Sequence, residues 1–399
     1  MNVRIYPCTL DGDVYAPASK SMAHRALLCA ALAERESEVL LSSSSEDIDA
    51  TARCIEAAGG KVERGKSGWK IFPVSGVKNA LYDCGESGST LRFFLPVVAA
   101  LGVGGTFTGK GRLPARPLGE LLSVLRGCRV SGDKLPLHIE GRLQNGLFRL
   151  RGDVSSQYIT GLLFALPLLG GDSEIELTTP LESASYVEMT LRALAEAGVA
   201  AERTEKGFFV RGGQRFRPKE KTEVEGDWSN AAFFLTASAI GNLVRVRGLN
   251  KHSAQGDAKV LSALLSLRSG GAEIDASDIP DLVPVLSVAA AYATGKTVFK
   301  NAARLRLKEC DRLHAAALNL NALGGKATET PDGLIVQGTG GLKGGKAEGF
   351  NDHRIVMSMA IAATQAEGPV EISGAEAVNK SYPSFFEEFK RLGGKFDVL

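Results

Sequence analysis

One unit recurs six times along this chain of 399 residues. Each copy opens with a short polar segment containing Ser, Asp or Gly, here called the head, and continues into a strongly apolar stretch rich in Ala and Leu. Stretches that are apolar nearly all round a helix are buried, so six such helices have to lie inside the fold. Successive heads are 51 to 74 residues apart. The heads begin at Ser19, Gly85, Gly152, Gly226, Ser277 and Asn351.

A second, amphipathic helix is predicted after each head. In residues 47–60, Ile48, Ala52 and Ile55 recur at helical spacing before a Gly-Gly stop. Most of these helices lead through glycine into a short alternating run, such as residues 61–63, that is typical of a strand. Glycine makes up 46 of the 399 residues, a larger share than the usual level of roughly 7%. The six helix stops account for much of that excess. The other five helices are predicted near Pro117, Tyr186, Gly256, Glu309 and Pro383.

These repeats predict an α/β fold of two domains with three units each. Because the apolar helices have to be inside, the strands have to surround them, which is the reverse of a TIM barrel. A single doubly wound sheet is the alternative, but it does not explain why buried and amphipathic helices alternate.

The heads point to anion binding. A polar loop that opens onto a helix N-terminus favours anions, because backbone N–H groups and the helix dipole are directed there. Any single head is also typical of an ordinary helix N-cap. Taken together, however, the heads predict a site for a small molecule with more than one anionic group. The residues that the heads and the segments next to them contribute to this site are Lys20, Ser21, Arg25, Gly88, Ser89, Thr90, Arg92, Arg116, Ser155, Ser156, Gln157, Asp352, His353, Arg354 and Lys380.

Two carboxylates are candidates for acid–base chemistry. Asp281 lies beside an apolar helix, where partial burial would raise its pKa and make it a usable base; the alternative is a helix N-cap. Glu309 lies in a cation-rich segment with Lys308 and Arg312, and the alternative there is an ion-pair lattice on an exposed helix start.

Charge and cysteine content bear on partners and compartment. The net charge of +2 argues weakly against a nucleic-acid partner. No apolar stretch reaches the roughly 20 residues of a membrane span. The N-terminal sequence lacks a signal-peptide pattern, and six scattered cysteines without C-x-x-C spacing predict no zinc site and fit a reducing compartment. We expect a cytoplasmic protein without metal.

Nine motifs follow one another along the chain: SKSMAHRALL, DCGESGSTLRF, ARPLGELL, DVSSQYITGLL, VEGDWSNAAFFL, DIPDLVPVL, RLKECDRL, NDHRIVM and NKSYPSFFEEF. In this order they resemble the motifs of the 5-enolpyruvylshikimate-3-phosphate synthase family, over about residues 17–390. The resemblance implies a two-domain inside-out α/β barrel, the enolpyruvyl transferase fold, with six βαβαββ repeats, three per domain. It places residues 1–18 and 226–399 in one domain and residues 19–225 in the other, with the active site in the cleft between them.

The resemblance also implies the reaction. Phosphoenolpyruvate would transfer its enolpyruvyl group to the 5-hydroxyl of shikimate 3-phosphate by addition and elimination, in a monomer that needs no cofactor. Asp281, Glu309 and Lys20 match the catalytic residues. The positions that match phosphoenolpyruvate contacts are Lys20, Gly88, Arg116, Gln157, Arg312, Arg354 and Lys380. Those that match contacts to shikimate 3-phosphate are Ser21, Arg25, Ser155, Ser156, Ser183, Tyr186 and Lys308.

Two alternatives stay open at this point. UDP-N-acetylglucosamine enolpyruvyl transferases share the fold and the donor, but they usually carry a reactive Cys in the loop that residues 110–115 occupy here without one. The second alternative is a non-catalytic or RNA-end-processing protein with the same fold. Glu86 and Arg304 depart from the family pattern: Glu86 adds a negative charge near an anion site, and Arg304 would either bind the shikimate phosphate or point away.

Overall fold

The computed structural model describes all 399 residues. The chain divides into two units: Met1–Ser19 together with Glu225–Leu399, called unit 1, and Lys20–Val224, called unit 2. The domain boundaries expected above, and the cleft between the domains, stay predictions.

Unit 2 contains three repeats, each with a buried first helix, an amphipathic second helix and four strands. The first consists of β14 (Lys221–Glu223), α1 (Lys20–Ala31), β3 (Ser37–Leu40), α2 (Glu46–Ala57), β4 (Lys61–Arg64) and β5 (Trp69–Phe72). The second consists of β6 (Ala80–Asp83), α3 (Gly88–Leu101), β7 (Gly105–Thr108), α4 (Gly119–Ser123), β8 (Cys128–Val130) and β9 (Leu137–Gly141). The third consists of β10 (Leu147–Leu150), α5 (Ser156–Ala165), β11 (Ser173–Leu177), α6 (Ala184–Glu196), β12 (Ala201–Arg203) and β13 (Gly207–Val210).

Unit 1 also contains three repeats, of which one is shorter. The short repeat consists of β2 (Asp11–Tyr15), α7 (Trp228–Ala239), β15 (Leu243–Arg247) and α8 (Val260–Leu267). The next consists of β16 (Glu273–Asp275), α9 (Val283–Tyr292), β17 (Thr294–Lys300), α10 (Arg312–Ala322), β18 (Lys326–Thr330) and β19 (Gly333–Thr339). The last consists of β20 (Gly345–Ala347), α11 (His353–Thr364), β21 (Val370–Ile372), α12 (Phe385–Arg391), β22 (Lys395–Val398) and β1 (Val3–Tyr6).

The sheets all follow one topology. In each of the five four-stranded sheets the first two strands of the repeat are parallel, and the fourth strand lies between the second and the third, antiparallel to both. One sheet of unit 2 and two sheets of unit 1 include a strand from a distant part of the chain. β14 pairs with β3 in unit 2; in unit 1, β1 pairs with β21 and β22, and β2 pairs with β15. These separate sheets rule out the single doubly wound sheet.

The predicted alternation of two kinds of helix is confirmed. Nine of the ten residues of α9 and all twelve of α11 are buried, whereas α6 buries only four of thirteen. A glycine with positive φ follows each amphipathic helix, which accounts for the predicted glycine stops. The six glycines are Gly59, Gly127, Gly198, Gly270, Gly324 and Gly393.

No helix combines the length and apolarity needed to cross a membrane.

The short repeat of unit 1 lacks a third and a fourth strand. Its sheet contains only β2 and β15, and the chain runs from α8 directly to β16. It coincides with the shortest interval between heads, 51 residues. Without the hairpin that the other repeats have at this position, Leu261 and Leu265 on the outer face of α8 are 45% and 62% exposed.

We predict that the two faces of α8 differ sharply in their contribution to stability. Leu264 is 7% exposed and Leu265 is 62% exposed. Leu264→Ala should lower the free energy of unfolding by about 2–4 kcal/mol, because it leaves a cavity. Leu265→Ala should change it by less than about 0.5 kcal/mol. Urea denaturation followed by circular dichroism measures both, and equal losses would contradict the exposed outer face.

Candidate active site

The start of α1 carries a buried ion pair. Lys20 is the first residue of the helix, and its Nζ lies 2.8 Å from Oδ2 of Asp47 on α2. Only 15% of the Lys20 side chain and 11% of the Asp47 side chain are exposed. The main-chain oxygen of Asp47 accepts a hydrogen bond from Thr90 Oγ1, which links this pair to the start of α3.

Arg25 lies one turn further along α1 and connects it to α6. Its guanidinium donates to the main-chain oxygens of Ser21 (2.6 Å) and Tyr186 (2.7 Å) and to Thr190 Oγ1 (2.9 Å). Burial lowers the pKa of Arg25 to about 10, so it is still a cation at neutral pH. Ser21 and Arg25 of the first head and Tyr186 of α6 are therefore brought together.

Two guanidinium groups converge on the N-terminus of α3. Ser87 caps this helix by accepting a hydrogen bond from the Thr90 amide. A methyl group on Gly88 would lie 2.6 Å from Nη1 of Arg116 and 2.6 Å from Nη1 of Arg92. Both arginines are buried. A helix N-terminus with two adjacent cations is suited to bind an anion.

The start of α5 supplies neutral groups. Ser155 is the N-cap, accepting a hydrogen bond from the Gln157 amide at 3.3 Å, so the ordinary capping interpretation is correct for its side chain here. Ser156 is buried. Gln157 reaches α3: its Oε1 accepts from Arg92 at 3.2 Å, and its Nε2 donates to Ser89 Oγ at 3.0 Å.

Ser183 occupies the N-cap position of α6 in an unusual conformation. It is buried and has φ 52° and ψ 44°, in the left-handed region that residues other than glycine rarely adopt. Such backbone conformations persist where the surrounding structure enforces them, often at ligand-binding positions. The contact of Ser183 with shikimate 3-phosphate stays a prediction.

Arg312 is the centre of the predicted cluster in unit 1. It is fully buried, and its Nε, Nη1 and Nη2 lie 2.7 Å from Oδ2 of Asp352, Oδ1 of Asp281 and Oε2 of Glu309, respectively. Burial alone would lower the pKa of Arg312, but the charges of these three carboxylates raise it well above the usual value. The ion-pair lattice considered for Glu309 is present, although its Arg312 partner is buried.

Asp281 contacts three cations. Besides Arg312, Nη2 of Arg354 lies 3.1 Å from its Oδ2, and Nζ of Lys308 lies 3.5 Å from its Oδ1. Asp281 belongs to a short 3-10 turn at the start of α9. The partial burial from which its role as a base was predicted is present, because 14% of its side chain is exposed, but three cations also contact it. Its role as a base stays a prediction.

The other two predicted cations of unit 1 flank α11. Arg354 is in its first turn and is 5% exposed. Lys380 ends a 3-10 turn, is 4% exposed and donates from Nζ to the main-chain oxygen of Asn351 at 2.6 Å. Both buried cations therefore lie near the start of α11.

Two acidic residues near the predicted ones, Asp47 and Asp257, were missed, and the pairing of a third, Asp352, was not predicted. Asp47 pairs with Lys20, Asp352 pairs with Arg312, and Asp257 is buried near Asp281 and Arg354. Asp352 was noted only as part of a head, and as the N-cap of α11 it accepts a hydrogen bond from the Arg354 amide. No sequence signal marks Asp47 or Asp257, because their partners are distant in sequence.

The two departures from the family pattern have simple surroundings. The Glu86 carboxylate lies against Gly111, in the space that a side chain at Gly111 would fill. Arg304 donates from Nη2 to the main-chain oxygen of Ser277 at 2.8 Å, within unit 1. No group of three or more His, Cys, Asp or Glu residues is arranged to hold a metal ion.

Helix starts with adjacent buried cations in one unit, and carboxylates among buried cations in the other, are groups suited to bind small anionic molecules and to exchange protons with them. The family model of EPSP synthase (3-phosphoshikimate 1-carboxyvinyltransferase) matches residues 6–275 and 267–389. The chain belongs to this family, as its motifs predicted.

Similar proteins agree with this assignment. A protein named 3-phosphoshikimate 1-carboxyvinyltransferase from Clostridium kluyveri is 42% identical over 418 aligned positions, covering 99% of this chain and 98% of the relative. One of the same name from Clostridium acetobutylicum is 43% identical, covering 98% and 97%.

Solved structures share the fold. EPSP synthase from Acinetobacter baumannii superimposes with a TM-score of 0.81 at 24% identity, and each chain is covered completely. The enolpyruvyl transferase NikO from Streptomyces tendae gives 0.78 at 16% identity, covering 99% of this chain and 98% of the other. The predicted enolpyruvyl transferase fold is confirmed.

We predict that Asp257 makes stability depend on pH. Burial, together with the charge of Asp281, raises its pKa from 3.8 to about 7. Between these two pKa values the folded chain therefore holds a proton on Asp257 that the unfolded chain releases. The stability that this proton contributes is complete below about pH 4 and is lost as the pH rises through 7. Relative to the wild type, Asp257→Asn should gain about 2–3 kcal/mol between about pH 5 and pH 8.

Urea denaturation of both proteins at the two pH values measures this gain. The exposed Asp133→Asn serves as the control. A difference between Asp257→Asn and the wild type that stays constant with pH would contradict the prediction.

Proposed function

We propose that this chain transfers the carboxyvinyl group of phosphoenolpyruvate to the 5-hydroxyl of shikimate 3-phosphate, and that the two clusters described above act together on these substrates. The products are 5-enolpyruvylshikimate 3-phosphate and phosphate, in the biosynthesis of aromatic amino acids. The observation that carries the proposal is the lattice in which buried Arg312 holds both candidate acid–base carboxylates.

The charges of the described residues suit the two substrates. Phosphoenolpyruvate has a phosphate and a carboxylate, and its proposed contacts are mostly cations: Lys20, Arg116, Arg312, Arg354 and Lys380, with Gly88 and Gln157. Shikimate 3-phosphate also has hydroxyl groups, and most of its proposed contacts are neutral side chains: Ser21, Ser155, Ser156, Ser183 and Tyr186, with the cations Arg25 and Lys308. Buried guanidinium groups bind phosphate strongly because little solvent screens them.

The proposed chemistry has two steps. In the addition, the 5-oxygen bonds to C2 of phosphoenolpyruvate, Asp281 takes the hydroxyl proton and Glu309 donates a proton to C3. In the elimination, C3 returns a proton to Glu309, the electron pair of that C–H bond forms the C2–C3 double bond again, and the bond from C2 to the phosphate oxygen breaks, which releases phosphate. Lys20 and the arginines stabilise the negative charge of the tetrahedral intermediate and of the leaving phosphate.

The ion pairs around Arg312 indicate how substrate prepares the two carboxylates. Arg312 is hydrogen-bonded to both Asp281 and Glu309 at 2.7 Å, so neither is ready to exchange a proton. A substrate carboxylate or phosphate that binds Arg312 and Arg354 competes with these contacts. Binding then frees Asp281 and Glu309 at the point where the reacting groups arrive.

The remaining expectations belong to this proposal. A biosynthetic enzyme of small phosphorylated metabolites needs neither nucleic acid nor membrane as a partner, and we propose a cytoplasmic monomer. All six cysteines are free thiols, which supports a reducing compartment.

The decisive experiment is phosphate release from phosphoenolpyruvate with each of two acceptors. We expect release with shikimate 3-phosphate and none with UDP-N-acetylglucosamine, and a product that mass spectrometry identifies as the acceptor plus a carboxyvinyl group. Glu309→Gln keeps the shape of the side chain but cannot donate the proton, so its rate should fall about 10²–10⁴-fold and expose any contaminating phosphatase. Release with the UDP-sugar alone would establish the alternative transferase, and release with neither would leave a non-catalytic protein.

Gly88→Ala should impair phosphoenolpyruvate binding selectively. The new methyl group would push against the guanidinium groups of Arg116 and Arg92, 2.6 Å away. We expect the KM for phosphoenolpyruvate to rise about tenfold, or ~1.4 kcal/mol, while the KM for shikimate 3-phosphate stays within about twofold. Gly119→Ala is the control, because nothing lies within 4 Å of its added methyl group. Equal changes in both KM values for Gly88→Ala would refute the assignment.

A further inference from the structure

Arg92 is a buried arginine that the proposed chemistry does not use. It lies in the second turn of α3 and is 3% exposed. Its guanidinium packs over the Tyr158 ring at 5.7 Å from the ring centroid. Burying a guanidinium is costly unless its N–H groups are hydrogen-bonded, so the partners of Arg92 are informative.

Three hydrogen-bond acceptors of Arg92 belong to or adjoin three different proposed phosphoenolpyruvate contacts. Nη1 lies 3.3 Å from the main-chain oxygen of Gly88 and 3.2 Å from Oε1 of Gln157. Nη2 lies 3.2 Å from the main-chain oxygen of Pro117, the residue after Arg116. One planar group therefore connects the start of α3, the start of α5 and the segment that carries Arg116.

The contact with Gln157 determines what that side chain can offer. Because its amide oxygen accepts from Arg92, the NH₂ group faces the other way, toward Ser89 Oγ at 3.0 Å, with a second N–H available. A primary amide in this orientation is a donor to an anion. In the flipped orientation it would present its oxygen, which repels a phosphate or carboxylate.

We propose that Arg92 is a positioning residue for the phosphoenolpyruvate subsite: it orients the Gln157 amide as a donor and fixes the backbone beside Gly88 and Arg116. The inference rests on the proposed function. Arg92 acts through its fork of N–H groups as well as through its charge. Lysine keeps the charge but is a flexible point cation that cannot satisfy the three acceptors in one plane.

The first test is steady-state kinetics of Arg92→Lys. We expect the KM for phosphoenolpyruvate to rise about tenfold, while the KM for shikimate 3-phosphate changes less than about threefold. Arg126→Lys is the matched control, because Arg126 in the same unit also packs over an aromatic ring, Phe148, and donates to a main-chain oxygen, that of Asn145. Parallel increases of both KM values would overturn the proposal in favour of a general structural role.

A double-mutant cycle separates positioning from direct binding. If Arg92 acts largely through Gln157, Arg92→Lys should cost markedly less phosphoenolpyruvate affinity in a Gln157→Ala background than in the wild type, by about threefold or more. If the two effects multiply, Arg92 does not act through Gln157, and its role in orienting the Gln157 amide is refuted.

A second variant keeps the test independent of the folding of Arg92→Lys. In Gln157→Glu the carboxylate still accepts from Arg92 but has no N–H to donate, so we expect an unchanged melting temperature with a KM for phosphoenolpyruvate about tenfold higher. A KM within about twofold of the wild-type value would contradict the donor orientation. A wild-type protein that releases no phosphate with either acceptor would refute the proposed function instead, before any variant is compared.

Discussion

The structure depends on the burial of six helices that have almost no polar face. Such a helix can be solvated only at its ends, and its first N–H groups need acceptors there. Ser87, Ser155, Asp227 and Asp352 provide them at the starts of α3, α5, α7 and α11. The constraint that fills the core therefore also places polar capping residues at these helix N-termini. Those N-termini are where anions bind most readily, so a fold with apolar inner helices contains possible anion sites before any specific side chain is added.

In unit 1, the region around Arg312 buries more charge than a stable core requires. Arg312, with no accessible surface of consequence, needs its three carboxylate partners, because an uncompensated buried guanidinium is strongly destabilising. Lys308 and Arg354 also contact Asp281, so three cations face the carboxylates of Asp281, Glu309 and Asp352. An incoming anion can compete with these carboxylates for the three cations. An ion lattice is a costly way to stabilise a fold, which is a physical reason to regard it as functional.

The sequence was sufficient for the regular parts of the fold and for most of the charged clusters. Apolar and amphipathic helices alternate as their periodicity predicted, because burial follows directly from which faces of a helix are apolar. The strand order and the contribution of β14 and β1 to distant sheets could not be read from local patterns. The same limit applies to the clusters: Arg312 was predicted, but its partner Asp352 is 40 residues away, and Asp47 reaches Lys20 only because α1 and α2 pack together. Local chemistry was predictable, and pairing across the fold was not.

The short repeat shows which parts of the architecture can be omitted. The inner residues of α8, Leu264 and Leu267, remain buried, so the core of unit 1 is closed without a hairpin at this position. The exposed strand β15 carries Arg245 and Arg247, both paired with Asp13, and charged residues on an edge discourage association with other strands. None of the proposed substrate contacts lies on β2, α7, β15 or α8. The repeat that lacks two strands is therefore the one from which the proposed site takes no substrate contact, as expected if binding constrains the fold more tightly than stability does.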